Sequence, residues 1–146
     1  MLDIGYYSFY EDCSEIFTPF LAKFGFFEIE QIGQYDAYTK HYRSEYWVLE
    51  ISMISNFPRV GVGFVFCSLE LEETRPSKIE EMLAVDQAKM RELYKKYSAE
   101  HDLNDFRTQM FFATEIMSMF YQEVLTGTIA FEDYQKFIVG HESSKP

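Results

Sequence analysis

Cysteine and histidine are scarce in this sequence, and neither is spaced for metal binding. Two cysteines, Cys13 and Cys67, lie far apart without a CxxC motif. The three histidines, His41, His101 and His141, lack a Glu or His at the helical spacing that a zinc site requires. The sequence therefore predicts no metal and no cofactor. Its unpaired cysteines favour a compartment that keeps thiols reduced.

Long apolar runs and a leader sequence are also missing. No stretch approaches the roughly 20 apolar residues that a membrane-spanning helix needs. No basic residue precedes Lys23, whereas a secretory leader begins with a basic segment. We therefore expect a soluble protein of the cytoplasm.

The sequence lacks the short motifs that identify common active sites. GxSxG, HExxH, P-loop and EF-hand patterns do not occur. Gly61 and Gly63 lack the third glycine and the following helix of a phosphate-binding loop, and strand alternation explains them better. We therefore predict no catalytic residues and favour a protein that is not an enzyme.

Basic side chains are outnumbered, with 13 Lys and Arg against 24 Asp and Glu, for a net charge of −11. Residues 1–73 hold twelve acidic and four basic side chains, a net charge of −8. Nucleic acids and anionic membranes bind basic patches, so neither is an expected partner. A basic protein is the natural complement. Alternatively, the charge only keeps an aromatic-rich chain in solution.

Apolar and aromatic side chains are abundant. Hydrophobic residues make up 47% of the chain and aromatic residues 18%, including fifteen Phe and eleven Tyr. With 146 residues, no internal repeat and no long linker, the chain is expected to form one domain, 1–146, with a flexible tail at 141–146. The aromatic residues can fill a core, but tyrosine is also enriched at protein interfaces.

Residues 46–68 carry the clearest structural signal. Apolar side chains occupy alternate positions in both halves, as in strands with one buried face: Trp47, Leu49, Ile51 and Met53, then Val60, Val62, Phe64 and Phe66. Between the halves lies Pro58, which cannot donate to a strand ladder. If Ser55 opposes Val60, then Ile51 opposes Phe64 and every apolar side chain shares one face.

An apolar stripe at steps of three and four residues predicts a first helix over about 8–24. Ser8 and Glu11 have the spacing of a capping box at its start. Gly25 stands where a left-handed C-terminal cap is expected. Pro19 predicts either a kink or a second short helix that begins there.

Residues 26–32 and 35–42 are predicted to form the first two strands. A three-residue connection at 43–45 then places Ala37 opposite Ile51 on the buried face. In that register the opposite face of the sheet carries mainly polar side chains and tyrosines: Asp36, Tyr38, Lys40, Tyr42, Tyr46, Val48 and Glu50.

Helical patterns fill the second half of the chain. Ser77 and Glu80 form a second capping-box pattern, before a helix that reaches about residue 98 and weakens near Asp86. Further helices are predicted after a cap at 102 or 104 and after Thr128, with a stop at Gly127. The predicted fold is α+β: an N-terminal helix, a four-stranded antiparallel β-meander, and three C-terminal helices packed on the sheet.

The charge and the tyrosines together predict a non-catalytic acidic protein-binding module. The candidate partner-binding residues are Tyr38, Tyr42, Tyr46, Val48, Glu50, Asp36, Glu28 and Glu30. Tyrosine rings give rigid contact area, and carboxylates steer a basic partner. One biological form is an immunity-type inhibitor of a toxin such as a nuclease, whose cleft must be basic to hold nucleic acid. Alternatively, a helix covers this face and its tyrosines belong to the core.

Two other functions remain open. A small-ligand-binding domain could place aromatic residues around a pocket between the sheet and the helices. Less favoured is an enzyme that uses carboxylates, namely Glu11, Glu15, Glu28 and Glu30. A nucleophile formed by Cys67 and His41 is a further conjecture. A homodimer through the sheet face or its open edge is compatible with each function.

Overall fold

The computed structural model describes residues 2–29, 39–56 and 59–143, and the side chains of 9–29, 39–53 and 61–140. One helix precedes a single antiparallel sheet of strand order β1-β2-β3-β4, and helices follow it, so the predicted α+β fold is confirmed. The elements are α1 Leu2–Ala22, β1 Phe27–Ile29, β2 Thr39–Arg43, β3 Val48–Asn56, β4 Arg59–Cys67, α2 Pro76–Met82, α3 Gln87–Glu100, α4 Phe106–Phe120, α5 Gln122–Leu125 and α6 Phe131–Ser143.

The central hairpin, β3 and β4, has the predicted register. Ile51 opposes Phe64, and Leu49 opposes Phe66. The ring of Trp47 contacts Phe66 edge to face at 5.9 Å, so the apolar side chains of both strands share one face. Pairing continues one pair further than the predicted last pair of Ser55 and Val60, to Asn56 opposite Arg59.

The predicted register of β2 is wrong. Lys40, not Ala37, opposes Ile51, and Ala37 itself lies outside the described residues. Tyr42 opposes Leu49 and therefore points to the face that packs against helices. Because the shift is three residues, an odd number, it exchanges the two faces of β2 relative to the prediction.

Ser44 explains the shift. Its amide donates to the carbonyl of Trp47 at 2.9 Å, and its hydroxyl accepts from the amides of Tyr46 (3.2 Å) and Trp47 (3.1 Å). This closed turn spans residues 44–47, so that Arg43 pairs with Val48. The connection is therefore four residues long, not the three that were predicted. A serine hydroxyl that bonds nearby backbone amides is a known turn former.

Tyr42 connects the sheet to α1. Its ring is fully buried, and its hydroxyl donates to the carbonyl of Cys13 at 3.1 Å. The hydroxyl groups of Tyr42 and Thr18 share a second hydrogen bond of 3.1 Å. Burial raises the pKa of Tyr42, which keeps the phenol neutral and able to donate. The corrected register thus gives α1 a polar anchor inside the core.

Helix α1 differs from its prediction in two respects. It begins at Leu2, so Ser8 lies inside the helix and the predicted capping box does not start it. It also passes through Pro19 without dividing. Gly25 has φ +82°, which confirms the predicted left-handed end.

The predicted caps of the later helices are partly wrong. Pro76 occupies the start of α2, so Ser77 lies within the helix and makes no capping box. Asp86 accepts from the amides of Ala88 and Lys89 and begins α3, at the place where the stripe weakens. Five helices therefore follow the sheet in the described chain, where three were predicted.

The ends of α4 and α6 also differ in detail from the prediction. Asp105, not residue 102 or 104, caps α4 by accepting from the amide of Thr108. Gly127 has φ +79° and ends the short α5, as predicted. Asp133 accepts from the amide of Ala130 at the start of α6, in place of Thr128. Helix α6 runs to Ser143. The flexibility of the predicted tail at 141–146 stays a prediction.

The helices cover the sheet through α1 and α4. Helix α1 contacts β1 and α4, and α4 contacts β4. Between α1 and α4, the guanidinium of Arg107 donates to Asp12 and, at 2.8 Å, to Glu15. These bonds hold the pKa of Glu15 below its usual range. Among the helices described, none combines the length and the apolar character needed to cross a membrane.

The Ser44 turn makes a prediction about stability. Replacing Ser44 with Ala removes the acceptor for two amides in a largely buried turn, which should lower the free energy of unfolding by about 1–3 kcal/mol. Denaturant titration followed by circular dichroism measures the change. Ser98→Ala, at an exposed helical position, is the control and should cost less than about 0.5 kcal/mol. Equal losses in the two variants would contradict this role of Ser44.

Candidate functional site

The predicted partner surface is only partly accessible. Tyr42 and Val48 are buried, so their placement on an exposed face is wrong. Tyr42 is buried because of the shift of β2. Val48 lies opposite the buried Cys67, at an end of the sheet where side chains on both faces are covered. Three other candidates lie outside the described residues: Glu30, Asp36 and Tyr38.

Two of the predicted acidic residues are engaged within the chain. The carboxylate of Glu50 lies 3.2 Å from Nε2 of His41 on the neighbouring strand. Glu28 binds Nζ of Lys40 at 2.6 Å and accepts from the hydroxyl of Ser14 at 2.8 Å. The bond to Lys40 is the main reason that the pKa of Glu28 lies below its usual range. Glu28 thereby links α1, β1 and β2, whereas Glu50 links β3 to β2.

Tyr46 remains 41% exposed and borders a surface concavity of about 350 Å³. We call it the acidic depression, because four exposed carboxylates and no Lys or Arg line it. The lining comes from the 44–47 turn, the loop after β4 and the start of α6: Glu45, Tyr46, Ser68, Leu69, Glu70, Glu72, Ala130, Phe131, Glu132 and Gln135.

A serine also shapes the loop after β4. The buried Ser68 hydroxyl accepts from the amides of Glu70 (3.2 Å) and Glu72 (3.0 Å), and the amide of Leu71 donates to the Ser68 carbonyl. Leu71 has φ +68° and is 37% exposed. A bulky residue with positive φ is strained, and such strain is typical of functional positions. The loop therefore presents an apolar tip between two carboxylates.

The ring of Tyr46 lies against the backbone of Gly127. A Cβ atom at position 127 would approach Cδ2 of Tyr46 to 2.1 Å, so only glycine fits beneath the ring. The positive φ of Gly127 also favours glycine. Tyr46 thus packs closely against Gly127, while part of the residue faces solvent.

Sequence reasoning missed most of the acidic depression. In the sequence, Glu70, Glu72 and Glu73 form a charge run before Pro76, and such a run by itself indicates only a solvated segment. A serine two residues before Glu70 was the available local signal, because its hydroxyl can bond following amides. No local pattern places Glu45 and Glu132 beside this loop, since they meet only through the tertiary fold.

A second concavity, of about 420 Å³, lies between β4 and the helices α2, α3 and α4. Four of its lining residues are aromatic, and we call it the aromatic cavity. Its lining consists of Val62, Gly63, Phe64, Pro76, Glu80, Met90, Tyr94, Leu103, Gln109, Phe112, Ala113, Ile116 and Tyr121. This is the region in which the small-ligand hypothesis expects a pocket.

The two cysteines are not activated as nucleophiles. Burial raises the pKa of the Cys13 and Cys67 thiols to about 12 each, so both remain protonated at neutral pH. The Cys67 thiol lies 4.0 Å from the carbonyl of Val65, and no bond joins it to His41. In the described residues, no three His, Cys, Asp or Glu side chains form a group that could hold a metal.

Comparison of the chain with models of known protein families, with curated proteins and with solved structures finds no match. The acidic depression and the aromatic cavity are therefore the structural features from which a function can be inferred.

The contact of Tyr46 with Gly127 predicts a difference between two glycine substitutions. Gly25→Ala should cost about 1–2 kcal/mol for its positive φ alone, because no atom lies within 4 Å of the new Cβ. Gly127→Ala adds the collision with the Tyr46 ring and should cost about 1–3 kcal/mol more. Denaturant titration measures both.

A Tyr46→Ala background separates the cost of the positive φ at Gly127 from the cost of the contact with the Tyr46 ring. In that background, Gly127→Ala should fall to the cost of Gly25→Ala, because the ring is gone. If the extra cost persists without the ring, Tyr46 is not seated on Gly127 as described.

Proposed function

We propose that this protein is a non-catalytic binding module that engages a basic protein through the acidic depression. The observation that carries the proposal is the convergence of four exposed carboxylates around a partly exposed tyrosine. These carboxylates come from three separate segments of the chain. Charge of one sign in a concave surface attracts a partner of opposite charge.

The four carboxylates are available to a partner. Glu45, Glu70, Glu72 and Glu132 are exposed, and none forms a salt bridge within the described residues. They differ in this respect from Glu15 and Glu28, which bind Arg107 and Lys40. Unpaired carboxylates at an interface raise the association rate of a basic protein and select against acidic ones.

Tyr46 borders the acidic depression, and Leu71 lies between two of its carboxylates in the loop after β4, so both offer apolar contact to a partner. The Tyr46 ring already packs against Gly127, so it has less side-chain entropy to lose on binding than a fully solvated tyrosine. Leu71 is held outward by a loop that Ser68 closes. Tyrosine is one of the residue types enriched among those that dominate the binding free energy of interfaces.

An immunity-type inhibitor is the biological form that we propose. A toxin nuclease must carry a basic cleft to hold nucleic acid, and an acidic protein can occupy that cleft. The proposed site of action is the cytoplasm, where two buried thiols stay reduced.

The test neutralises the acidic depression without changing its shape. One variant carries Glu45→Gln, Glu70→Gln, Glu72→Gln and Glu132→Gln. The matched control removes the same charge from exposed helical positions with Glu92→Gln, Glu100→Gln, Glu115→Gln and Glu123→Gln. Affinity capture from native lysate with quantitative mass spectrometry should return basic proteins with wild type and control. The depression variant should lose them.

Association kinetics with a captured partner then distinguish electrostatic steering by the acidic depression from an effect of the total net charge. The association rate constant of the depression variant should be lower by a factor of about ten or more at low salt, and the difference should shrink as salt rises.

Leu71→Asn should weaken binding without lowering the free energy of unfolding, because asparagine tolerates positive φ. Neutral or acidic partners, or equal losses in both quadruple variants, would refute the proposal.

A further inference from the structure

Helix α3 is incompletely packed beside the aromatic cavity. It has 14 residues, and none of them is buried. Met90 and Tyr94 line the cavity, yet Tyr94 remains 55% exposed. An apolar stripe on a helix normally contacts a core. On α3 Tyr94 contacts Phe112 of α4 but stays more than half exposed, so an occupant of the cavity would bury apolar surface that the fold leaves uncovered.

Two aromatic pairs form part of the cavity wall. Phe64 and Tyr121 contact each other edge to face at 5.3 Å, and Tyr94 and Phe112 do so at 6.0 Å. Phe64 belongs to β4, whereas Tyr94 and Phe112 belong to α3 and α4. Such rings accept a flat apolar molecule, and their faces attract a cation.

Glu80 carries the only charge among the residues that line this cavity. Its Oε2 atom accepts from the hydroxyl of Tyr121 at 3.2 Å, and Oε1 accepts from the side-chain amide of Gln87 at 2.6 Å. A carboxylate offers about four acceptor positions, so two donors leave room for more. No Lys or Arg forms a salt bridge with Glu80 in the described part of the chain.

The one side-chain amide in the lining already has hydrogen-bond partners within the chain. Gln109 accepts from the amide of Val62 at 2.8 Å and donates to the carbonyl of Leu103 at 2.7 Å. These bonds hold β4, α4 and the connection before α4 around the cavity. They leave Glu80 as the group that distinguishes between ligands of different charge.

We propose that the aromatic cavity binds a small aromatic amine in its cationic form, with the ring against Tyr94 and Phe112 and the ammonium on Glu80. A volume of about 420 Å³ lies within the usual range of about 300–1,000 Å³ for small-molecule sites. An anion finds no cationic side chain in the lining. This site shares no lining residue with the acidic depression, so it is independent of the proposed partner function.

The test uses three probes with one ring system and different charge: tryptamine, tryptophol and indole-3-acetate. Isothermal titration calorimetry should show that tryptamine binds about tenfold or more tightly than neutral tryptophol, because a charge-assisted bond contributes more than a neutral one. Indole-3-acetate should not bind measurably. Equal affinity for the first two probes, or no binding of tryptamine at millimolar concentration, would overturn the proposal.

Three variants place the binding at this cavity. Glu80→Gln should weaken tryptamine to the level of tryptophol and leave tryptophol unchanged. Glu81→Gln, the exposed neighbour on α2, should change neither affinity. Tyr94→Ala should weaken both probes by a similar factor, because it removes ring contact and no charge. If Glu80→Gln and Glu81→Gln have the same effect, Glu80 does not bind the ammonium.

A fourth variant separates this site from the acidic depression. The quadruple Glu-to-Gln variant of the depression should bind tryptamine as wild type does. Loss of tryptamine binding in that variant would place the amine at the depression and overturn the proposal. Loss of protein capture with retention of tryptamine would show that the two sites act independently.

Discussion

The hydroxyl of Ser44 determines which side of β2 faces the helices. By binding the amides of Tyr46 and Trp47, it ends β2 at Arg43 and starts β3 at Val48. Tyr42 then points inward and bonds to α1. Had the strand shifted by one residue, the core would have received Arg43 or His41 instead. A single local turn therefore determines both the contact of α1 with the sheet and the exposure of Tyr46.

The sequence predicts those parts of the fold in which two independent signals agree. In the β3–β4 hairpin, alternation and loop length point to one register, and that register is observed. In β2 the alternation is weak, and a serine-to-amide turn does not show in hydrophobic periodicity. The acidic depression was not predictable, because Glu45, Glu70 and Glu132 come together only when the chain is folded. The aromatic cavity was anticipated in general position but not in its residues.

Both proposed sites depend on carboxylates that attract a cation, but over different distances. At the acidic depression, four solvent-exposed carboxylates would act at long range on the proposed basic partner, and salt would screen them. At the aromatic cavity, the single carboxylate of Glu80 would act at short range, through a direct charge-assisted hydrogen bond to the proposed amine. Both proposals thus depend on carboxylates that form no salt bridge within the described residues.

Helix α3 has a consequence for how the molecule opens. Its residues are all at least partly solvent-exposed, and irregular segments at 83–86 and 101–105 flank it. Separating this helix from the rest would expose little apolar surface, so its amide protons should exchange with solvent at a lower free energy than those of β3 and β4. The boundary between an early-opening and a late-opening part of the protein then runs along the wall of the aromatic cavity.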